Sequence, residues 1–149
     1  MESPQVNEIK ALYQSLIQAW NNRQAQEMAD QFTMQGELIG FDGSQVIGRD
    51  NIFAHVYPIF ADHPTPPFIS VVKDVRLFTT EVVRLRAIVG MIPPGTTELN
   101  PQLNAHQTLI AVKENDVWRI ELFQNTPAQF HGRPDLVEQM TKELSEAVI

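Results

Sequence analysis

The chain contains no cysteine, which rules out disulfides, thiolate metal sites and a cysteine nucleophile together. Basic residues are few: eleven Lys and Arg stand against eighteen Asp and Glu, for a net charge of −7. Those eleven are scattered, whereas nucleic-acid binding draws its affinity from clustered Lys and Arg, so no nucleic-acid partner is expected. No apolar run approaches the roughly 20 residues of a membrane span. The start, Met1-Glu2-Ser3-Pro4-Gln5, lacks the basic opening and apolar core of a secretory signal. The sequence therefore predicts a soluble, cytoplasmic protein with no membrane partner. No Gly-rich loop follows a strand-like run, so no dinucleotide cofactor is expected, and no other cofactor is indicated. The four histidines form neither His-x-His nor His-Glu-x-x-His, which argues against a metal site. No repeat, low-complexity tract or linker divides the chain.

What is present suits one domain over residues 1–149. A hydrophobic content of 43% with 19% charged residues is a globular balance, and the length is enough for a core without staples. The chain is organised around Val117-Trp118-Arg119-Ile120-Glu121-Leu122-Phe123-Gln124-Asn125-Thr126-Pro127. This stretch reads as a strand after a Lys113-Glu114-Asn115-Asp116 turn. Trp118, Ile120 and Leu122 share one face and Arg119 and Glu121 the other, until Phe123 makes the second face apolar too. Such a strand is central in a sheet, and the amides at its end are placed to face a cavity. One bulge would swap its two faces.

Ahead of it, Ser3-Pro4 caps and opens a helix whose apolar stripe runs Val6, Ile9, Leu12, Tyr13, Leu16, Ile17 and Trp20. Asn21-Asn22 ends it, and a short second helix carries Ala25, Met28, Ala29 and Phe32. Runs 37–41 and 44–48 form a hairpin across Asp42-Gly43, which tolerates the positive φ of a tight turn. A third helix carries Ile52, Phe53, Val56, Ile59 and Phe60, with Pro58 expected to kink or divide it. Strands are expected over 68–78, 82–92 and 103–112, and Pro134 opens a tail helix to 149. Helices segregated from a mostly antiparallel sheet make an α+β architecture.

That order resembles the nuclear-transport-factor-2-like superfamily, also called SnoaL-like or cystatin-cone proteins. The residues that carry the resemblance are Ala19-Trp20-Asn21, Phe41-Asp42-Gly43 with Gly48-Arg49 and Ile52, and Trp118-Arg119-Ile120 running on to Phe123-Gln124-Asn125-Thr126-Pro127. Gly90-Met91-Ile92-Pro93, Asn104-Ala105-His106-Gln107-Thr108 and Phe130-His131-Gly132-Arg133-Pro134 look closest to the SgcJ/EcaC-like branch. The resemblance implies a six-stranded, strongly curved sheet wrapped around the first helix into a cone with a pocket at its open end. It also implies a homodimer formed through the sheet. The superfamily includes ketosteroid isomerases, dehydratases, polyketide cyclases, transport factors and association domains, so fold alone does not select a function.

Within such a cone, Trp20, Phe41, Tyr57 and Met91 are expected to line the pocket as well as fill core. Gln107, Gln124 and Asn125 either orient a ligand or tie strands together, since a buried amide needs partners for donors and acceptor alike. His106 is a candidate acid or base, and the Tyr57 hydroxyl a candidate donor to a carbonyl. No catalytic residue is assigned. Ketosteroid isomerases carry their catalytic Asp on the strand before the hairpin, where this chain has Ile39, Gly40 and Phe41. The expected function is binding of a small, mostly apolar molecule. The rivals are a cyclase, isomerase or dehydratase using His106 or Tyr57, and an association module whose role is dimerisation.

Overall fold

The computed structural model describes residues 3 to 148. Met1, Glu2 and Ile149, the last being the expected end of the tail helix, lie outside the described residues. The order is α1 (Pro4–Asn21), α2 (Ala25–Asp30), β1 (Phe32–Ile39), β2 (Gln45–Ile47), α3 (Arg49–Asp62), β3 (Phe68–Thr79) and β4 (Val82–Met91). A short 3₁₀ turn (Pro101–Leu103), β5 (Ala105–Glu114), β6 (Val117–Pro127) and α4 (Pro134–Glu146) complete it. The six strands form one mixed sheet in the order β2-β1-β6-β5-β4-β3. β1 runs parallel to β6, and the other neighbours are antiparallel.

α1 forms where its capping and stripe predict. Ser3 Oγ accepts from the Val6 N–H at 3.3 Å, and Pro4 occupies the first turn. The stripe of Ile9, Tyr13, Leu16 and Ile17 is buried, and the helix touches β3, β4 and β6, so the sheet wraps around it. At the far end Asn21 clamps the start of β3: its Nδ2 donates to Phe68 O at 3.4 Å, and its Oδ1 accepts from Phe68 N at 2.8 Å.

Two expectations shift. Phe32 opens β1 rather than closing α2, and it is fully buried; the Arg49 guanidinium holds its carbonyl with two bonds, of 2.9 and 2.6 Å. Pro58 does not divide α3, which is continuous from Arg49 to Asp62. Ala54, whose carbonyl loses its i+4 donor at Pro58, is exposed as is Pro58 itself, so water can take up that carbonyl.

The inner face of the sheet is set by bulges. On β5 and β6, Ile110 pairs with Leu122 while Ala111 pairs with Ile120, which leaves Glu121 as an extra residue. Trp118, Ile120 and Phe123 are consequently buried in one cluster with α1, and Leu122 turns to the outer face. The parallel partner β1 shifts register over the same stretch, between Phe32 and Glu37. Gly36 lies within that shift, where an added Cβ would stand 2.7 Å from the Ile120 carbonyl oxygen.

The outer face is covered near one end by α4. Met140 and Leu144 pack with Ile88 and Ala128 in a second, smaller cluster. Asn104 Nδ2 donates to Thr141 Oγ1 at 2.9 Å, and Lys73 pairs with Glu143. Gly90 admits the helix, since a Cβ there would meet Leu144 Cδ1 at 3.0 Å. Among the described residues, no helix is long and apolar enough to cross a membrane.

The Gly36 contact is with backbone inside the ladder, which has no room to retreat. Gly36→Ala is expected to cost about 1–3 kcal/mol through overpacking, read as a lower Tm in thermal denaturation. An unchanged Tm would mean that β1 can move away from β6 there.

Candidate functional site

Between the far half of α1, α3 and the inner face of the sheet lies a cavity of about 320 Å³. Leu16, Ile17 and Trp20 enter from α1, Met28 from α2, and Val56 and Ile59 from α3. Leu38, Phe68, Met91 and Phe123 come from the sheet, and Leu103 from the 3₁₀ turn. The walls are therefore nearly all hydrocarbon and aromatic. Phe41 and Asp42 stand at the rim; both also line the cavity, and Phe41 is 40% exposed. Trp20 is fixed as a wall by rings on two sides, Phe60 and Phe68, each with centroids 5.2 Å away. Its Nε1 donates to Pro66 O at 3.3 Å and so points away from any ligand role.

Three polar side chains with no such fixed wall role line the cavity: Asp42, His55 and Asn125. Asp42 Oδ1 accepts from the Ser44 N–H at 2.9 Å across the turn. The bonds from Ser44 hold its carboxyl below the usual range, and the nearby His55 adds to this. A carboxylate whose charged form is favoured is a weaker base than usual, so the turn position argues against proton abstraction by Asp42.

Asn125 ends a line of buried hydrogen bonds. Tyr13 Oη donates to Gln107 Oε1 at 2.6 Å, Gln107 Nε2 donates to Asn125 Oδ1 at 2.9 Å, and Asn125 Nδ2 donates to Ile39 O at 3.1 Å. Gln107 is 1% exposed and Tyr13 fully buried. Burial pushes the Tyr13 phenol well above its ordinary pKa of 10.0, against a smaller opposing effect of its bond with Ser70. The phenol therefore stays protonated and acts as a donor.

Of the residues expected at the pocket, Trp20, Phe41, Met91 and Asn125 line this cavity. Gln107 stands behind it as the partner of Asn125. Gln124, Tyr57 and His106 do not line it, which corrects the expectation for those three. Gln124 pairs with Thr108 and lies on the outer face, because the Glu121 bulge leaves Asn125 inward. Tyr57 is 58% exposed on the far side of α3, beside Phe53 at 5.4 Å between rings. His106 is exposed, one residue out of step with buried Gln107, and its ring meets the edge of Phe130 at 6.4 Å.

Sequence reasoning missed His55, Ile59, Leu103 and Phe123 as lining residues. The signal was present in part: 55 and 59 share a helix face, next to the Val56 stripe. Core and cavity wall have the same composition, however, so residue type alone does not separate them. Among the described residues, no group of three or more His, Asp or Glu side chains is placed to hold a metal ion.

No family model matches the chain, and no curated protein matches it. Solved structures do. A domain of unknown function with a cystatin-like fold from Nostoc punctiforme superposes with a TM-score of 0.81 at 20% identity, covering 99% of this chain and 96% of that one. A protein from Thiobacillus denitrificans described as a calcium/calmodulin-dependent protein kinase type II association domain reaches 0.72 at 16% identity, covering 80% and 94%. A ketosteroid isomerase-like protein from Erwinia carotovora reaches 0.69 at 14% identity, covering 86% and 99%. Likeness at these identities establishes the fold: this chain has the cystatin-like, nuclear-transport-factor-2-like cone.

The buried phenol gives the site a pH signature. An unfolded tyrosine releases its proton near pH 10.0 while Tyr13 in the fold keeps it. Above that pH the unfolded state binds fewer protons than the native state, so stability falls as pH rises, by up to about 1.4 kcal/mol per pH unit from this group. Urea unfolding between pH 9 and 11.5 is expected to show the fall, and Tyr13→Phe to flatten it. An equal slope in both proteins would contradict the burial of an un-ionised phenol.

Proposed function

We propose that this protein of the nuclear-transport-factor-2-like fold binds a small, mostly apolar molecule of about two fused rings in its cone. The carrying observation is the cavity of about 320 Å³ with hydrocarbon walls and a single fixed amide in its lining. A cavity of roughly 150 Å³ takes one benzene ring, so this one is of two-ring size and too small for a four-ring steroid without movement. Burial against such walls is worth roughly 25 cal/mol per Å² of apolar surface, so the apolar contacts supply the affinity and the amide the orientation.

An enzymatic reading has less support. The two side chains expected to supply acid or base chemistry, His106 and Tyr57, lie outside the cavity; of the titratable groups that do line it, Asp42 is held as a weak base at the rim and His55 stands near it. The neighbouring structure named as ketosteroid isomerase-like lends this chain only its fold. The 90–93, 104–108 and 130–134 motifs align our reading with the SgcJ/EcaC-like branch, and the lack of cysteine favours a cytoplasmic setting.

Thermal denaturation with naphthalene-sized apolar compounds should raise Tm with concentration, as ligand linkage requires. Leu103→Trp, which fills the cavity from the 3₁₀ turn, should remove that shift. A steroid that stabilises as well as a two-ring compound, or no stabilisation by either, would contradict the proposal.

We further infer a homodimer through the outer face of the sheet. Ile110 and Leu122 pair across β5 and β6 there, with Thr108, Gln124 and Arg84 around them. This is a mixed surface that α4, packed near Ile88, does not occupy. Two neighbouring structures are described as association domains, which supports an oligomeric reading without indicating the face used. Sedimentation velocity should give a dimer that Ile110→Asp converts to monomer; a monomeric wild-type protein would refute it.

A further inference from the structure

We infer that the ligand carries a hydrogen-bond-acceptor oxygen of the ketone or ester kind, and that it takes this oxygen to an N–H of Asn125 whose orientation Gln107 and Tyr13 enforce. The inference rests on the pocket reading above and adds polarity to it.

An amide side chain can in principle be turned either way round, since its oxygen and nitrogen occupy similar positions. Here one end of the hydrogen-bond line removes the choice. The Ile39 carbonyl can only accept, so Asn125 must present Nδ2 to it, at 3.1 Å. That turns Asn125 Oδ1 toward Gln107, which must answer with Nε2, at 2.9 Å. Gln107 Oε1 is then left to Tyr13, whose phenol keeps its proton and donates at 2.6 Å. Turning Asn125 alone would set oxygen against the Ile39 carbonyl and nitrogen against the Gln107 nitrogen. Turning both amides would still oppose two carbonyl oxygens at Ile39. The three bonds therefore share one direction, and each is satisfied only in that direction.

The direction decides what the cavity offers. Asn125 Oδ1 points toward Gln107, which does not line the cavity. Nδ2 points toward Ile39, whose chain neighbours Leu38 and Gly40 both line it. The second N–H on Nδ2 has no protein acceptor among the described residues. In walls made mostly of Leu, Ile, Met and Phe, with His55 the other polar side chain besides Asp42 at the rim, that hydrogen is a polar contact of fixed direction available to a bound molecule. A ligand oxygen with lone pairs satisfies it; a purely hydrocarbon ligand leaves it buried and unpaired. Gln107 and Tyr13 act as positioning residues, since neither lines the cavity.

The test titrates ¹⁵N-labelled protein with 1-tetralone and with tetralin, which share a two-ring body and differ by the ketone oxygen. Tetralone should bind about 3- to 10-fold more tightly, the range for one net hydrogen bond. It alone should shift the side-chain amide resonances of Asn125. Gln107→Glu keeps an acceptor for Tyr13 but faces Asn125 Oδ1 with a second acceptor, so the Asn125 amide loses one of its two anchors, the Ile39 carbonyl alone holding it, and the tetralone-to-tetralin ratio should fall. Equal wild-type affinities, or tetralone binding without movement of the Asn125 amide, would overturn this inference and leave the pocket proposal standing. Binding of neither compound would overturn both. The wild-type titration decides without any variant.

Discussion

Strand β6 must show four particular side chains to the inside of the cone: Trp118, Ile120, Phe123 and Asn125. A strand alternates its side chains between two faces, and an unbroken alternation would carry Trp118 and Ile120 inward but Phe123 and Asn125 outward. The extra residue at Glu121 restores them to one face, since Ile120 and Leu122 pair with consecutive residues of β5. Its neighbour β1 shifts register beside it, with Gly36 closing on the Ile120 carbonyl, and the Thr33 hydroxyl donates to the Glu121 carboxylate at 3.0 Å. The cavity floor at Phe123 and the polar end at Asn125 both depend on that one insertion. Without it, Leu122 and Gln124 would face inward, and the hydrogen-bond line from Tyr13 would end at Gln107.

Given that geometry, the interior divides into two kinds of surface. The apolar walls are supplied by the stripes of α1 and α3 together with Leu38, Phe68, Met91 and Phe123 of the sheet. The polar part is one directed line of amides and a phenol, anchored at a backbone carbonyl. Among the titratable groups, Asp42 at the rim is already engaged by its own turn, His55 lines the cavity, and the Tyr13 phenol is tied into the amide line. This is a suitable arrangement for holding and orienting a molecule. The means of moving a proton on that molecule are weakly represented.

Much of the fold was legible in residues that obey strong local rules. Ser3-Pro4 starts a helix by capping and fixed φ, Asp42-Gly43 turns a hairpin, and the 117–127 run alternates as a strand. The resemblance then supplied the cone. The failures have physical causes of their own. Phe32 fits a helical stripe and a strand start equally well, and the Arg49 fork on its carbonyl lies seventeen residues away in sequence. Pro58 breaks a helix only where the freed carbonyl cannot reach water, which sequence does not report. At the site, Asn125 was legible as an amide at a strand end, but its separation from Gln124 depends on a bulge that no residue type announces. His106 and Gln107 are adjacent and both polar; one is exposed and the other is buried at the centre of the fold. Cavity walls such as Leu16 and Phe123 look like core because chemically they are core, facing an empty volume that only the packing of helices creates.

The most direct measurement is a crystal of the protein soaked with 2-bromonaphthalene and examined for anomalous scattering from bromine. A peak within the space bounded by Leu16, Met28, Leu103 and Phe123, with the walls unmoved, is the predicted result. A crystal in which those side chains meet and no bromine enters would show that the cone is closed, and would contradict the account.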